Sequence, residues 1–287
     1  MTIGIATHYS DGLIVCSDTK IVEPTGLTST RTKQSVSAFS SQHLFAVSFA
    51  GDDVAAAEML SKDIVGAAGD VRRPQDFDRT IKMTMREWYQ SYGAMRPPTL
   101  QFIVAHIDVK NRRSEILRCE PPSTITRPTG LVKIGSGGDV VAHYSDLLFP
   151  LPGSPIRYYS LRTALLRLAY LMKLANQRDG AYVGGKTDVA IISELGSFTF
   201  LERDEMEEAE EFAVEAESIL HKMCSQILSD SSDAESEKAA NELSNSYAKL
   251  YKQRERLRFS TLHLLNRPIW RRKSSKQLTD RTSKEQR

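Results

Sequence analysis

The first residues that could do chemistry lie in MTIGIATHYSDGLIVCSDTK, where Thr2 precedes an acid and a base, Asp18 and Lys20. If the initiator Met is removed, as a small second residue normally permits, Thr2 carries a hydroxyl and a free α-amine. A threonine hydroxyl is a weak nucleophile until a base takes its proton, and an α-amine with a reference pKa of about 7.7 to 8.0 is a usable base. A neighbouring lysine would lower that pKa by like-charge repulsion. This pattern predicts an N-terminal nucleophile.

Short strands and paired helices must position these residues. Thr2 to Thr7 and Leu13 to Asp18 have strand composition and flank an Asp-Gly turn, which predicts a hairpin. Further strands are predicted over 35–39, 44–49, 100–108, 114–119, 131–134, 188–193 and 198–201, and helices over 54–65, 77–92, 139–148 and 161–176. A tight turn is predicted over 135–138. Antiparallel hairpins with helices in pairs between them predict an α+β fold, a four-layer αββα sandwich of two stacked sheets.

The composition changes near residue 204. Residues 204–217 hold eight acids and no base, within an amphipathic helical pattern. Ser232 and Glu235 form a capping box before a second long helix, so a C-terminal helical hairpin is predicted. A basic tail with few apolar residues follows and is predicted to be disordered. The predicted boundaries are 1–203 for the hydrolase-like domain, 204–266 for the helical extension and 267–287 for the tail.

From Thr2 to about Glu205 the chain resembles the proteasome β-subunit family of N-terminal nucleophile hydrolases, including its bacterial relatives. Family members begin with Thr and place an Asp sixteen residues later, as Thr2 and Asp18 do. Lys33 in RTKQSV matches the lysine that family members have before the third strand. The resemblance implies that Lys33 lowers the pKa of the Thr2 amine and that Asp18 fixes Lys33. It also implies that Gly51, in SFAGDDVAAAEML, donates its N–H to the oxyanion.

Two more family positions concern the Thr2 amine. Ser136 in KIGSGGDVV matches the family serine that supports the amine, and Asp179 matches an acid that orients it with Ser136. Asp179 lies one residue further out than in the family, and Val183 stands where active family members have a serine. Valine cannot make the hydrogen bond that steadies the amine, which favours either reduced activity or support from elsewhere.

Other functional classes find less support. Residues 180–187 spell GAYVGGKT, which satisfies the P-loop pattern, but a predicted helix precedes the segment and a strand follows it, the reverse of a P-loop. The six histidines show no HxxxH or HExxH spacing, so neither a metal nor a cofactor is predicted. The three isolated cysteines suit a reducing cytoplasm. A net charge of +2 argues against nucleic acid as the main partner, and charged residues interrupt the most apolar stretch, which argues against a membrane span.

The resemblance predicts a threonine-type endopeptidase in the cytoplasm. Such subunits work in rings that admit unfolded chains, often fed by an ATPase, so self-association, a peptide or unfolded-protein substrate and an ATPase unfoldase are the expected partners. Two alternatives remain open, an inactive proteasome-like scaffold subunit and a small-molecule amidase on the same fold. Without the family pattern, Asp18 and Lys33 could equally form an ion pair between adjacent strands.

Overall fold

The structure, a computed structural model, describes residues 2–22, 27–39, 42–71, 76–149, 159–181, 183–227 and 233–257, with residues 259, 262 and 265. Two five-stranded antiparallel sheets form its centre. The first sheet has the order β10-β1-β2-β11-β12. Its strands are β1 (Gly4–Tyr9), β2 (Gly12–Asp18), β10 (Val132–Ile134), β11 (Thr187–Ser193) and β12 (Ser197–Phe200).

The second sheet has the order β5-β6-β7-β8-β9. Its strands are β5 (Gln34–Phe39), β6 (His43–Gly51), β7 (Leu100–Asp108), β8 (Arg113–Glu120) and β9 (Thr124–Thr126). A separate two-stranded ribbon, β3 (Lys20–Val22) with β4 (Thr28–Thr30), leads from the first sheet toward the second. Because successive side chains of a strand point to opposite faces, each sheet presents one apolar face to the other sheet and one to helices.

Helices cover both outer faces. On the second sheet lie α1 (Val54–Gly69) and α2 (Phe77–Ser91), and on the first lie α3 (Ser136–Val140), α4 (Ala142–Leu148), α5 (Leu161–Arg178) and α6 (Arg203–Ile227). The last helix, α7 (Asp233–Arg256), packs against α6. One apolar cluster fills the space between the sheets, and one lies under each helical layer. The predicted four-layer αββα sandwich with a C-terminal helical hairpin is confirmed.

Local details differ from the sequence-based predictions. The three-residue strands β3, β4 and β9 were not predicted, whereas β10, of the same length, was predicted over 131–134. The predicted turn over 135–138 instead begins helix α3, and the single helix predicted over 139–148 is two helices that meet at Val141. The predicted capping residue Ser232 and the basic tail lie outside the described residues, and the domain boundaries stay predictions. Within the described part, none of the helices is long and apolar enough to cross a membrane.

Candidate active site

Thr2, Asp18 and Lys33 meet in the interior although they come from three separate segments. Thr2 precedes β1, Asp18 ends β2 in the same sheet, and Lys33 stands directly before β5 in the other sheet. Their exposed fractions are 3%, 2% and 1%. A lysine this buried is rare unless it is paired. The predicted proximity of these three residues is therefore present in the structure.

Both charged residues contact the Thr2 hydroxyl. Thr2 Oγ1 donates a hydrogen bond to Asp18 Oδ1, and Lys33 Nζ donates to Thr2 Oγ1 over 2.5 Å. Lys33 Nζ also lies 3.0 Å from Asp18 Oδ1 and donates to the Lys20 carbonyl oxygen. The hydroxyl oxygen thus has an amine on one side and a carboxylate on the other, an arrangement suited to moving its proton.

Backbone amides hold the Asp18 carboxylate in place. The N–H of Ile3 donates to Asp18 Oδ1 over 3.0 Å, and the N–H of Gly184 donates to Asp18 Oδ2 over 3.3 Å. The Asp18 N–H in turn donates to the Ile3 carbonyl oxygen over 3.2 Å. A carboxylate can accept about four hydrogen bonds, so these partners fix the orientation of the Asp18 side chain.

The burial of Lys33 affects its protonation. Desolvation lowers the pKa of Lys33 below its ordinary value of 10.5, while the charge of Asp18 and the hydrogen bond to it act in the opposite direction. Desolvation is the larger effect. The neutral amine, which can accept a proton, is consequently more accessible at Lys33 than at an ordinary lysine.

Two glycines let the turn before α3 approach Thr2. Gly135 has a φ of +77°, and a Cβ built on it would lie 2.1 Å from the Thr2 carbonyl oxygen. The Gly137 N–H donates to that same oxygen over 3.3 Å. Only glycine fits at position 135, because a side chain there would have both an unfavourable φ and a backbone clash.

Gly51, the residue predicted to donate its N–H to the oxyanion, is the last residue of β6. Lys33 lies along the edge of β6 that pairs with β5. The Phe49 N–H donates to the Lys33 carbonyl oxygen over 3.2 Å, whereas the Asp52 N–H donates over 3.1 Å to Thr99 at the opposite edge. Since N–H groups alternate along a strand, the Gly51 N–H points to the same edge as that of Phe49. The Gly51 N–H therefore lies on the edge of β6 that faces Lys33.

A pocket of about 270 Å³ opens beside Thr2. Gly51 and Ser136 both line it, so the structure brings these two predicted residues to the same site as Thr2. Ser136 Oγ donates to Asp179 Oδ2 over 3.3 Å, so Asp179, the last of the six predicted site residues, contacts the pocket lining through Ser136. The roles assigned to these residues stay predictions.

Val183 does not leave a gap where the family serine would be. Its side chain is 1% exposed and belongs to the apolar cluster that contains Ile3. Its Cγ2 lies 2.8 Å from where a Cβ at Gly137 would be. The position is therefore filled by packing, and the next residue, Gly184, supplies a backbone donor to Asp18.

Three residues of the site were not predicted. Gln101 Oε1 accepts a hydrogen bond from the Gly135 N–H over 2.8 Å and so supports the turn next to Thr2. Arg118 and Lys133 line the same pocket. All three lie on strands, where the packing of the two sheets decides which side chains line the pocket, so no sequence spacing could have found them.

The other sites considered from the sequence find no structural support. Among the residues that the structure describes, no group of three or more His, Cys, Asp or Glu could hold a metal ion. The P-loop-like segment lies between α5 and β11, the reverse of the order that a P-loop needs. Its lysine, Lys186, forms ion pairs with α6: Nζ lies 3.5 Å from Asp204 Oδ1 and 3.4 Å from Glu207 Oε2.

Comparison with known proteins gives a fold but no sequence family. Neither a protein-family model nor a curated protein matches the sequence. A solved structure of an Anbu (Gly-1) mutant from Hyphomicrobium sp. strain MC1 is 13% identical, with a TM-score of 0.63, and the match covers 81% of this chain and all of that one. Anbu from Yersinia bercovieri, described as an ancestral beta-subunit, is 14% identical with a TM-score of 0.59, covering 76% of this chain and 96% of that one. A helical assembly of the Anbu complex from Pseudomonas aeruginosa is 15% identical with a TM-score of 0.60, covering 81% and 99%.

These matches correct the family assignment. The prediction that the chain belongs to the proteasome β-subunit family is wrong, because the similar solved structures are Anbu proteins, which are proteasome-like but form a distinct family. At 13–15% identity the likeness concerns the fold alone. The chain has a proteasome-like N-terminal nucleophile hydrolase fold similar to that of the Anbu structures.

Proposed function

We propose that this protein is a threonine-type hydrolase that cleaves peptide bonds with Thr2 as its nucleophile, after removal of Met1. The observation that carries the proposal is the contact of Thr2 Oγ1 with both Lys33 Nζ and Asp18 Oδ1, at a buried position beside an open pocket. A hydroxyl that only stabilised the fold would not need a buried lysine with a lowered pKa.

In the proposed reaction, Thr2 Oγ1 attacks the substrate carbonyl carbon as its proton leaves. The proton goes to a neutral amine, either that of Lys33 or the α-amine that Met1 removal creates on Thr2. The Gly51 N–H donates to the oxyanion of the tetrahedral intermediate. The protonated amine then gives its proton to the leaving nitrogen, the C–N bond breaks, and a Thr2 ester forms.

Water completes the cycle by attacking the ester carbonyl, with the amine again as base, which releases the acid product and restores the hydroxyl. Asp18 keeps Lys33 in place and opposes full loss of its charge. Ser136 and Asp179 lie beside the turn that contacts the Thr2 backbone, so they are suited to orienting the new α-amine.

The test is the intact mass of the purified protein before and after incubation with a peptide epoxyketone, which reacts with the hydroxyl and the free amine of one N-terminal residue. We expect loss of Met1 and a single adduct. Thr2→Ala, which can also lose Met1, is the matched control and should give no adduct. Retention of Met1, or an equal adduct on the control, would overturn the proposal.

An inactive assembly subunit is the second candidate, favoured by the apolar packing of Val183, whose side chain offers no hydrogen bond to the α-amine of Thr2. Loss of Met1 without an adduct at any probe side chain would favour it.

We further propose self-association, since one of the similar structures is a helical assembly of the Anbu complex. Sedimentation velocity and negative-stain microscopy should show particles larger than one chain. An ATPase partner, an unfolded-protein substrate and cytoplasmic localisation stay predictions.

A further inference from the structure

Four polar side chains form a layer between the two sheets, adjacent in the chain to the charged residues of the candidate active site. Ser17 and Asp188 are register partners across β2 and β11, and Gln34 and Ser48 are register partners across β5 and β6. Residues two positions along each strand, on the same faces, belong to the apolar cluster between the sheets: Val15, Ala190, Val36 and Ala46. The exposed fractions of Ser17 and Ser48 are 0%, and those of Gln34 and Asp188 are 8%.

Two contacts between the sheets bring these pairs around one point. Gln34 Nε2 donates to the Asp188 carbonyl oxygen over 2.8 Å. On the other side, Ser48 Oγ lies 2.8 Å from where a Cβ at Gly4 would be, and Gly4 is the register partner of Ser17. Register partners have Cβ atoms about 4.5 to 5.5 Å apart. The four polar residues therefore face one another across the interface between the two sheets, and Ser48 Oγ takes part of the place that a side chain at position 4 would fill.

The polar atoms of this layer lack partners within the described part of the chain. Ser17 Oγ, Ser48 Oγ, Gln34 Oε1 and Asp188 Oδ2 are all buried and make no hydrogen bond there. A buried polar group without a partner is costly, and four of them in one layer are not expected by chance. Internal water in proteins binds to buried polar groups that have no other partner.

The donor and acceptor balance fits one ligand. Each serine hydroxyl has a hydrogen to donate, whereas Gln34 Oε1 and Asp188 Oδ2 can only accept. Asp188 Oδ1 already accepts from Arg203 Nε over 2.9 Å, so Oδ2 is the oxygen of that carboxylate that is left without a partner. A water molecule accepts two hydrogen bonds and donates two. A metal cation would need more oxygen ligands than these four and would leave the hydroxyl hydrogens without acceptors.

We propose that one internal water molecule is bound between the sheets, accepting from Ser17 and Ser48 and donating to Gln34 and Asp188. Its position is specific, because Ser17 precedes Asp18 and Gln34 follows Lys33 in the chain. The water thus connects the two strands, one in each sheet, that carry the charged pair. This inference does not depend on the proposed activity.

High-resolution crystal structures of the full chain test the water site. We expect one density peak within hydrogen-bond distance of all four atoms in the wild type. Ser17→Ala/Ser48→Ala should lose the peak, whereas Ser35→Ala should keep it, because Ser35 pairs with Val47 on the opposite face of the second sheet.

Two results would overturn the proposal, and both can be seen in the wild type alone if the double variant fails to fold. One is direct pairing of the four side chains with no peak between them. The other is a strong anomalous peak at this position after a thallium(I) soak, which would assign the site to a monovalent cation. A water peak that persists unchanged through the soak supports the proposal.

Discussion

Lys33 Nζ lies 3.0 Å from Asp18 Oδ1, and this ion pair joins the two sheets of the sandwich in a place almost without solvent. Burying two charges costs several kcal/mol per ion, which the pair recovers only through close geometry and further hydrogen bonds. The amides of Ile3 and Gly184 and the carbonyl of Lys20 provide those bonds. Removing one partner of this pair should therefore lower the stability of the folded state strongly.

Lys33→Met should test that cost. The substitution keeps much of the side-chain volume but leaves the Asp18 carboxylate buried without its cation, so we expect the free energy of unfolding to fall by about 3 kcal/mol. We also expect epoxyketone adduct formation to slow by about 100-fold or more, because the amine that contacts Thr2 Oγ1 is gone and only the α-amine is left to accept the proton. Urea denaturation and intact mass measure the two effects.

The control for this variant is Lys62→Met. Lys62 forms an exposed pair with Glu58 at 2.8 Å, and we expect its loss to change stability by less than about 1 kcal/mol. Equal stability and reactivity of the two variants would contradict the importance of the buried pair.

The lowered pKa of Lys33 predicts a pH dependence with a definite sign. Between its folded pKa and 10.5 the unfolded state binds more protons than the folded state, so this group makes stability rise with pH in that window. The rate of adduct formation should rise along with the neutral fraction of Lys33, with an apparent pKa below 10.5. Lys33→Arg keeps the charge but cannot lose its proton, so the rise due to Lys33 should be absent. A rate profile that is the same for both proteins would exclude Lys33 as the titrating group.

Part of the site could be predicted because local spacing determines it. Thr2 and Asp18 lie at facing ends of one hairpin, and Gly51 lies where a strand gives way to a helix. The same spacing could not distinguish the proteasome β-subunit family from the Anbu proteins, because it reflects the nucleophile and the fold rather than one family. Placing Lys33 against Asp18 required the resemblance, since no local pattern says which strands of two different sheets will face each other.

What could not be predicted depends on packing between distant segments. Gln101 reaches Gly135 only because β7 lies opposite the turn before α3. The sequence left open whether Val183 reduces activity or whether support for the amine comes from elsewhere. In the structure Val183 packs in the apolar cluster below Thr2, and the N–H of Gly184 donates to Asp18. A backbone donor has no sequence signal, because every residue except proline carries one.

Gly135→Ala should separate the effect of space from that of backbone strain. The new Cβ would meet the Thr2 carbonyl oxygen at 2.1 Å, so the turn has to move away from Thr2. Gly93→Ala is the control, because Gly93 also has a positive φ, +56°, but open space around its Cβ position. We expect Gly93→Ala to cost about 1 to 2 kcal/mol from strain alone. Gly135→Ala should cost more and also abolish the adduct. If both variants react with the epoxyketone like the wild type, the close approach at Gly135 is not needed for the site.

Glu210 on α6 predicts the opposite pH dependence. Its side chain is 9% exposed, Thr187 Oγ1 donates to its Oε1 over 2.5 Å, and burial raises its pKa above 4.5 despite opposing effects of Thr187 and Lys173. Between 4.5 and the folded pKa the folded state binds more protons, so this group makes stability fall as pH rises.

Glu210→Gln should remove that slope. The amide oxygen still accepts from Thr187 but does not titrate, so Tm measured from acid to neutral pH should decline less steeply than in the wild type. Each unit of pKa difference is equivalent to about 1.4 kcal/mol, so the change should be measurable by calorimetry. The control is Glu211→Gln, an exposed neighbour on the same helix, which should keep the wild-type slope. If Glu210→Gln and Glu211→Gln give the same slope, the buried carboxyl group of Glu210 is not the source of the pH dependence. The hydrogen bond between Thr187 and residue 210 then holds α6 on β11 without contributing to that dependence.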